Sequence, residues 1–453
     1  MASTDLRFTS SSTGNNKIGT WSCWVKRSGL GAYQTLVQGA GDASGNYVDR
    51  ITFTDADQLR IIFYANATDG EYITTAKYRD TSAWYHVVMT IDTTQATASN
   101  RVKLWINGEQ VTSFGTETQI TQNRTLQFNV NGCVYSVGSR YKSSTDHYLN
   151  GSMAHAHWID GTAYDASAFG QTDSTTGEWV PKTSPSVTYG TNGFFLKFEN
   201  SGAFGTVSSG NGNNFTVNGT MTQTIDTPTH NFCTLNPLIP HGGNLTFSNG
   251  NLSLTTSSSQ WQGALASIAP NGGKYYFEAK YNTGTGIKLD IARADADIRN
   301  MTVTNNSYLS YSSLGYGYQL NNTGYDYYCN NNSCTTWTTN RGNSTKIIMV
   351  ALDIDNGKMW VGDNGTWYNK SGTANPETGA DPLHDFSSDL NGENWFINMS
   401  CEGSGTAHNL NFGGGFFGTT AVSSAGTNAS GIGTFEYDVP SGYTALTSKG
   451  LNE

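Results

Sequence analysis

Val87-Val-Met-Thr-Ile-Asp92, a loop, and then Lys103-Leu-Trp-Ile-Asn-Gly108 can be laid beside Ile348-Met-Val-Ala-Leu-Asp353 and Lys358-Met-Trp-Val-Gly-Asp-Asn-Gly365. Each pair is an apolar run ending in Asp, then a short run entering an Asn-Gly turn. Asn and Gly accept the positive φ that a tight hairpin demands. Outward from these hairpins, no stretch of helical length carries a convincing 3.6-residue apolar period. Short apolar or alternating runs recur instead, separated by Gly, Asn, Asp and Ser, the pattern of a sandwich or barrel. They predict strands over Thr20–Lys26, Gln58–Tyr64, Trp84–Asp92, Val102–Asn107, Ser152–Asp160 and Phe194–Glu199. In the second half they predict Lys274–Tyr281, Ile287–Ala292, Ile347–Asp353, Lys358–Val361, Trp395–Met399 and Ala407–Phe412. The fold class is all-β, and the internal echo implies two antiparallel sandwiches built alike. Residues 201–243, rich in Gly, Asn, Ser and Thr and then stiffened by Pro228, Pro237 and Pro240, read as the connector between them.

Composition narrows the function. The 453 residues hold Lys+Arg 25 against Asp+Glu 35, a formal net charge of -10. Charged residues are only 13%, but aromatics are 12%, which supplies large buried areas and argues against disorder. An acidic chain without a Lys/Arg cluster is a poor partner for phosphate backbones, so no nucleic acid is expected. No apolar run reaches membrane-spanning length, and the segment Met1-Ala-Ser-Thr-Asp-Leu-Arg-Phe lacks the form of a secretory signal. The cysteines (Cys23, Cys133, Cys233, Cys329, Cys334, Cys401) are too scattered for a disulfide framework and read as small buried thiols. Only Cys329 and Cys334 are close enough for one local bridge.

Residues 1–200 resemble the laminin-G-like, concanavalin A-like lectin/glucanase domains through Thr20-Trp-Ser-Cys-Trp-Val-Lys26, Trp84-Tyr-His-Val-Val-Met-Thr90, Val102–Gly108, Tyr135-Ser-Val-Gly138 and Asn150-Gly-Ser-Met153. Ala154 and His155 stand where such domains often carry an acidic pair. Residues 244–453 resemble a SPRY domain through Lys274–Lys280, Gly315-Tyr-Gly-Tyr318, Ile347–Asp355 with Lys358–Gly365, and Asn409-Leu-Asn-Phe-Gly413. The resemblance implies two concanavalin A-like, jelly-roll sandwiches in series. The pairing of modules is similar to proteins of tailed bacteriophages of marine bacteria, as are Arg79-Asp-Thr-Ser-Ala-Trp-Tyr-His86, Ile159-Asp-Gly-Thr-Ala-Tyr-Asp165 and Asp226-Thr-Pro-Thr-His-Asn231. That likeness implies a virion protein assembled in the host cytoplasm, with other virion proteins as partners and a homo-oligomer, a trimer by family habit.

Candidate sites follow from residue chemistry. Period two places Trp105 and Trp360 beside Lys103 and Lys358 and opposite the apolar neighbours, on outer sheet faces where indoles could stack on sugar rings; the alternative is that a loop or a subunit covers them. The stretch Tyr325-Asp-Tyr-Tyr-Cys-Asn-Asn-Asn-Ser-Cys-Thr-Thr-Trp337 reads as a recognition loop, with Tyr325, Tyr327, Tyr328 and Trp337 as ligand-binding residues. Catalysis is disfavoured: no Glu pair has glycosidase spacing, Glu109 and Glu117 being the nearest, and Asp55-Ala-Asp57 and Asp295-Ala-Asp297 lie in polar settings with nothing to raise one pKa. His155-Ala-His157 puts two imidazoles on one strand side, read as a solvent-facing or interface pair rather than a metal site. No cofactor is expected; Asp42, Asp49, Asp55 and Asp57 leave Ca2+ open on family grounds alone.

The expectation is therefore a non-enzymatic virion surface protein, a tail-fibre or appendage module that binds host surface polysaccharide or a protein receptor. The alternative is a head-decoration or connector protein packed on other virion subunits; a polysaccharide depolymerase is the third and disfavoured reading.

Overall fold

The Asn-Gly dipeptides turn the chain as their residue types require. Asn107 and Gly108 have φ of 50° and 87°, and Asn364 and Gly365 have 47° and 87°. Around them, Trp84–Asp92 pairs antiparallel with Val102–Ile106, and Lys346–Asp353 with Lys358–Asp363. The structure is a computed structural model that describes residues 3–42, 44–282, 286–296, 308–321, 323–336, 342, 344–368, 374–403, 405 and 407–452. Among the described residues there is no α-helix, and each strand expected from the sequence is present within a few residues of its bounds.

The chain divides into two compact units, Met1–Gln223 and Thr224–Glu453. In the first, a sheet of eight strands runs edge to edge through Phe114–Thr118, Thr68–Lys77, Gln58–Ala65, Tyr47–Phe53, Gln34–Ala40, Val134–Val137, Asp5–Thr9 and Thr216–Asn218. A six-stranded sheet faces it: Phe194–Leu196, Gly151–Asp160, Ile18–Arg27, Trp84–Asp92, Val102–Ile106 and Glu109–Gln110. Alternate residues of the two sheets, such as Trp21, Cys23, Val87, Met89 and Leu104 against Leu36, Ile51, Ile61 and Phe63, form the buried core.

The second unit repeats the plan. One sheet runs through Leu235–His241, Gln262–Ala266, Trp395–Glu402, Gly286–Arg293, Gly315–Leu320, Asp326–Asn330 and Ser333–Thr336. The other runs through Leu245–Ser248, Ser253–Thr256, His408–Asn411, Lys274–Tyr281, Lys346–Asp353, Lys358–Asp363 and Thr366–Tyr368. Phe277, Ile348, Val350 and Val361 pack against Leu289, Ile291, Ile397 and Met399 between them.

The stretch expected as a connector is corrected by this pairing. Thr216–Asn218 is hydrogen-bonded to Asp5–Thr9, Phe215 lies in the first core, and Leu235–His241 pairs with Gln262–Ala266 of the second unit. Asn211 and Asn213 spend their side-chain amides on the carbonyl of Gly193, at 3.1 and 3.0 Å. Polar residues that read as loose chain are thus bonded to the fold, and the division falls between Gln223 and Thr224.

Each unit also has a third layer. In the first, residues 161–190 lie over the outer face of the six-stranded sheet, where Val88 and Ile159 meet Ala166, Phe169, Trp179 and Tyr189. In the second, the C-terminal segment covers Tyr276, Met349, Ala351 and Trp360 with Ile432, Phe435, Val439 and Tyr443. Buried Glu278 holds that cover by accepting the backbone N–H groups of Glu436 and Tyr437, both at 2.9 Å.

Candidate functional site

Trp105 and Trp360 do face away from the sandwich cores, as alternation requires, but neither is open. Trp105 stands across from Val88 and packs, half-buried, against the 161–190 layer. Trp360 stands across from Ala351, is fully buried, and donates its indole N–H to the carbonyl of Ala380 at 2.8 Å. Their assignment as sugar-stacking surfaces is corrected. The signal was available: Val87-Val88-Met89 and Ile348-Met349-Val350-Ala351-Leu352 do not alternate, and a strand apolar on both sides is buried on both.

The stretch read as a recognition loop is a hairpin. Asp326–Asn330 pairs with Ser333–Thr336 about the positive-φ residues Asn331 and Asn332 (50° and 56°), and Cys329 is disulfide-bonded to Cys334 across it. Pairing separates the tyrosines. Tyr328 packs on the core beside His384, whereas Tyr327 stands opposite Gln319 on the outer face. Tyr325 is 41% exposed just before the strand, and Trp337 lies outside the described residues. On the same outer face Lys288 is buried, its Nζ 3.0 Å from the centroid of the Tyr308 ring and 3.8 Å from Cys334 Sγ. Burial lowers its pKa to about 8, while burial raises that of neighbouring Asp290 to about 6. The ammonium is sealed by rings, as in a structural cation–π pair.

The acidic and imidazole candidates resolve into packing. Asp49 is ion-paired with Arg124 at 2.8 Å, and Asp57 with Arg27 at 3.0 Å. Asp42 caps the Ser44-Gly45 turn and Asp55 is exposed, so the four carboxylates do not converge. Among the described residues no three metal-ligating side chains gather. Asp295 pairs with Arg293 at 2.6 Å, and Asp297 is outside the described residues. Glu109 and Glu117 sit on edge strands of different sheets.

His155 and His157 are not a solvent-facing pair. A bulge between Ala154 and His157, with His155 at φ 47°, sends His157 into the covering layer, stacked 3.9 Å from Phe195 and bonded to Tyr189 Oη at 3.0 Å. Buried Ser22 and His86 lie 2.9 Å apart, a spacing a nucleophile and base would use. Here Trp179 Nε1, which can only donate, bonds His86 Nδ1 at 2.9 Å. The proton therefore sits on Nε2 and is given to Ser22 Oγ, so this imidazole is not placed to deprotonate the serine.

One outer face of the first unit, that of the eight-stranded sheet, carries polar side chains among apolar Val48 and Ile62. Gln38, Arg50 and Ile62 stand in a row across three neighbouring strands, with Val37, Ile51 and Ile61 turned to the core. Above them is an open cleft of about 300 Å3 lined by Gln38, Arg50, Tyr64, Arg140, Tyr141 and Lys142 among others. Arg50 is 7% exposed, and its side chain makes no hydrogen bond or ion pair among the described residues. Burial, then the nearby Arg140 and Arg60, lowers its pKa to about 10. The sequence expectations include no strand over Tyr47–Phe53 and so no site at Arg50; the sign present is the Asp49-Arg50 pair inside Tyr-Val-Asp-Arg-Ile-Thr-Phe.

Residues 2–166 match the family model of the concanavalin A-like lectin/glucanases superfamily. The first unit has the concanavalin A-like jelly-roll fold. A comparison with curated proteins finds no match. Among solved structures the chain is similar to the SPRY domain of human HERC1 (16% identity over 39% of this chain and 96% of that one, TM-score 0.28). It is also similar to domains LG4-5 of the mouse laminin alpha1 chain (8% identity, 87% and 79%, TM-score 0.29) and to a heptameric SAP-like pentraxin from Limulus polyphemus (12% identity, 34% and 69%, TM-score 0.27). In the concanavalin A-like unit, then, the cleft over Arg50 is an uncovered polar site on a sheet face, a place to hold a ligand by charge and hydrogen bonds.

Proposed function

We propose that the chain is a non-enzymatic surface protein of a bacteriophage particle, a tail-fibre or appendage module that binds host surface glycan or a protein receptor. The observation that carries the binding reading is the open cleft on the eight-stranded sheet, where the buried Arg50 side chain has no hydrogen-bond or ion-pair partner among the described residues, while the sheet faces that bear Trp105 and Trp360 are covered. A lectin-like fold is compatible with such binding. The virion location, the companion virion proteins and a trimeric assembly rest on the sequence idiom shared with phage proteins. Several copies on one particle would multiply weak sites by avidity.

A head-decoration or connector role is the second reading. It is favoured by Leu238 and Ile239 (43% and 45% exposed) on the edge strand Leu235–His241, an apolar edge suited to another subunit. The test is retention of the purified full chain on bacterial cells and on their isolated surface polysaccharide, with reducing ends assayed in parallel. Retention without new reducing ends is expected. New reducing ends would restore the depolymerase, and no retention on any host would leave the decoration role.

A further inference from the structure

A guanidinium taken out of water without a counter-charge is costly, and such groups are ordinarily paired. Among the described residues the Arg50 side chain has neither a bonded carboxylate nor the enclosing rings that Lys288 has, and Asp146 acts on it only through space. Each neighbouring cation has a carboxylate: Arg60 Nε bonds Glu71 at 2.6 Å, Arg140 Nε bonds Asp146 at 2.6 Å, and Lys142 Nζ lies 3.4 Å from Asp146. Four cations therefore share two carboxylates, Glu71 and Asp146, and Asp42 is held in its own turn by Ser44 and Gly45. On a chain of formal net charge -10, three of these cations, Arg50, Arg140 and Lys142, line one cleft. Next to Arg50, Gln38 gives its amide N–H to the carbonyl of Tyr141 at 2.6 Å and leaves Oε1 without a partner. An unpaired donor and an unpaired acceptor thus stand side by side on neighbouring strands, in a cleft that Tyr64 and Tyr141 also line.

We propose that this cleft binds a carboxylated sugar, with Arg50 gripping the carboxylate, Gln38 accepting from a hydroxyl and the tyrosines flanking the ring. The inference rests on the attachment reading for its biology and names the ligand class of that same site. A planar fork matches a carboxylate in bidentate fashion. About 300 Å3 is at the small end of ligand pockets and suits one sugar residue rather than a long chain. The acidic chain as a whole repels densely charged polyanions, so a residue carrying a single carboxylate fits better than a heavily sulfated one.

The experiment measures thermal midpoint and calorimetric binding of the full chain with glucuronate and galacturonate, against glucose, galactose, inorganic sulfate and inorganic phosphate. Uronates are expected to bind and to raise the midpoint of the first unit, and neutral sugars are not. Arg50→Met is expected to lose about tenfold or more in affinity, as for a lost charge-assisted pair. Its midpoint in the absence of ligand should stay or rise, because an unpaired buried charge has been removed. Arg50→Lys, which keeps the charge and loses the fork, guards against a folding defect and should also bind more weakly. Equal binding of neutral sugars, equal effect of sulfate or phosphate, undiminished binding by Arg50→Met, or no binding of any uronate would overturn the proposal. Uronate binding without retention on cells removes attachment and leaves the site; retention that neither uronate nor Arg50→Met weakens removes the site and leaves attachment.

Discussion

The indole Nε1 of Trp179 donates to Nδ1 of His86 at 2.9 Å, keying the covering layer of the first unit into the sheet beneath it. The ring has space because two positions lack side chains: a Cβ on Gly170 would lie 2.5 Å from it, and one on Gly108 2.9 Å. Trp179→Phe keeps most of the packing but leaves a buried imidazole nitrogen unbonded, at about 1–3 kcal/mol. Urea unfolding should show that loss in the first unit's transition alone. An unchanged midpoint would mean that the Trp179–His86 hydrogen bond contributes nothing to this unit.

The buried imidazoles set the response to acid. Burial lowers the pKa of His86 to about 3 and pushes that of His157 well below its usual value. The unfolded chain therefore binds protons that the folded unit refuses. Their stabilisation is complete above pH about 6.5 and falls with acidification, by about 1.4 kcal/mol per pH unit for each group. Asp49 and Asp160, raised by burial, act in the opposite sense in the carboxylate range. In the second unit Asp290, raised to about 6, and Glu278 and Glu402, also raised by burial, gain stability as pH falls, against His408 at about 4. Calorimetry between pH 7 and 5 should show the first unit's transition moving down more steeply than the second's. Parallel movement of both would contradict this assignment.

Because Trp360 is fully enclosed, Trp360→Ala should cost about 3–5 kcal/mol in the second unit. Half-buried Trp105→Ala should cost less, about 0.5–3 kcal/mol, in the first. Denaturant melts of each variant check the ordering. Loss of glycan binding by Trp105→Ala at an unchanged melt would return that indole to the binding surface.

Reduction of Cys329–Cys334 opens a short loop whose turn is already fixed by Asn331 and Asn332, so the second unit should remain folded in reductant. Chain entropy for so small a loop gives at most about 2 kcal/mol. Cooperative loss of the unit on reduction, followed by near-ultraviolet dichroism, would contradict it.

The strands were legible because period two and the Asn-Gly turns are local signals, readable residue by residue. The third layers were less so. Trp105 and Trp360 were placed on the correct faces, yet what covers them comes from residues 161–190 and from the C-terminal segment, distant in sequence and without periodicity of their own. The only local trace was the missing alternation at Val88 and at Met349 and Ala351. Residues 201–223 misled for the related reason that Asn211 and Asn213 look like linker until their acceptor, the carbonyl of Gly193, is known. Arg50 could be seen as a charge, but its lack of a partner is a tertiary fact that no spacing reveals.

The central claim is that this chain recognises a surface glycan through the eight-stranded sheet of its first unit and leaves that glycan intact. The most direct measurement is retention of wild-type chain and Arg50→Met on acidic bacterial surface polysaccharide, with reducing ends followed in the same samples. The account predicts retention of wild type, weakened retention of a fully folded Arg50→Met, and no new reducing ends. Cleavage of the polysaccharide, or equal behaviour of the two proteins, would contradict it.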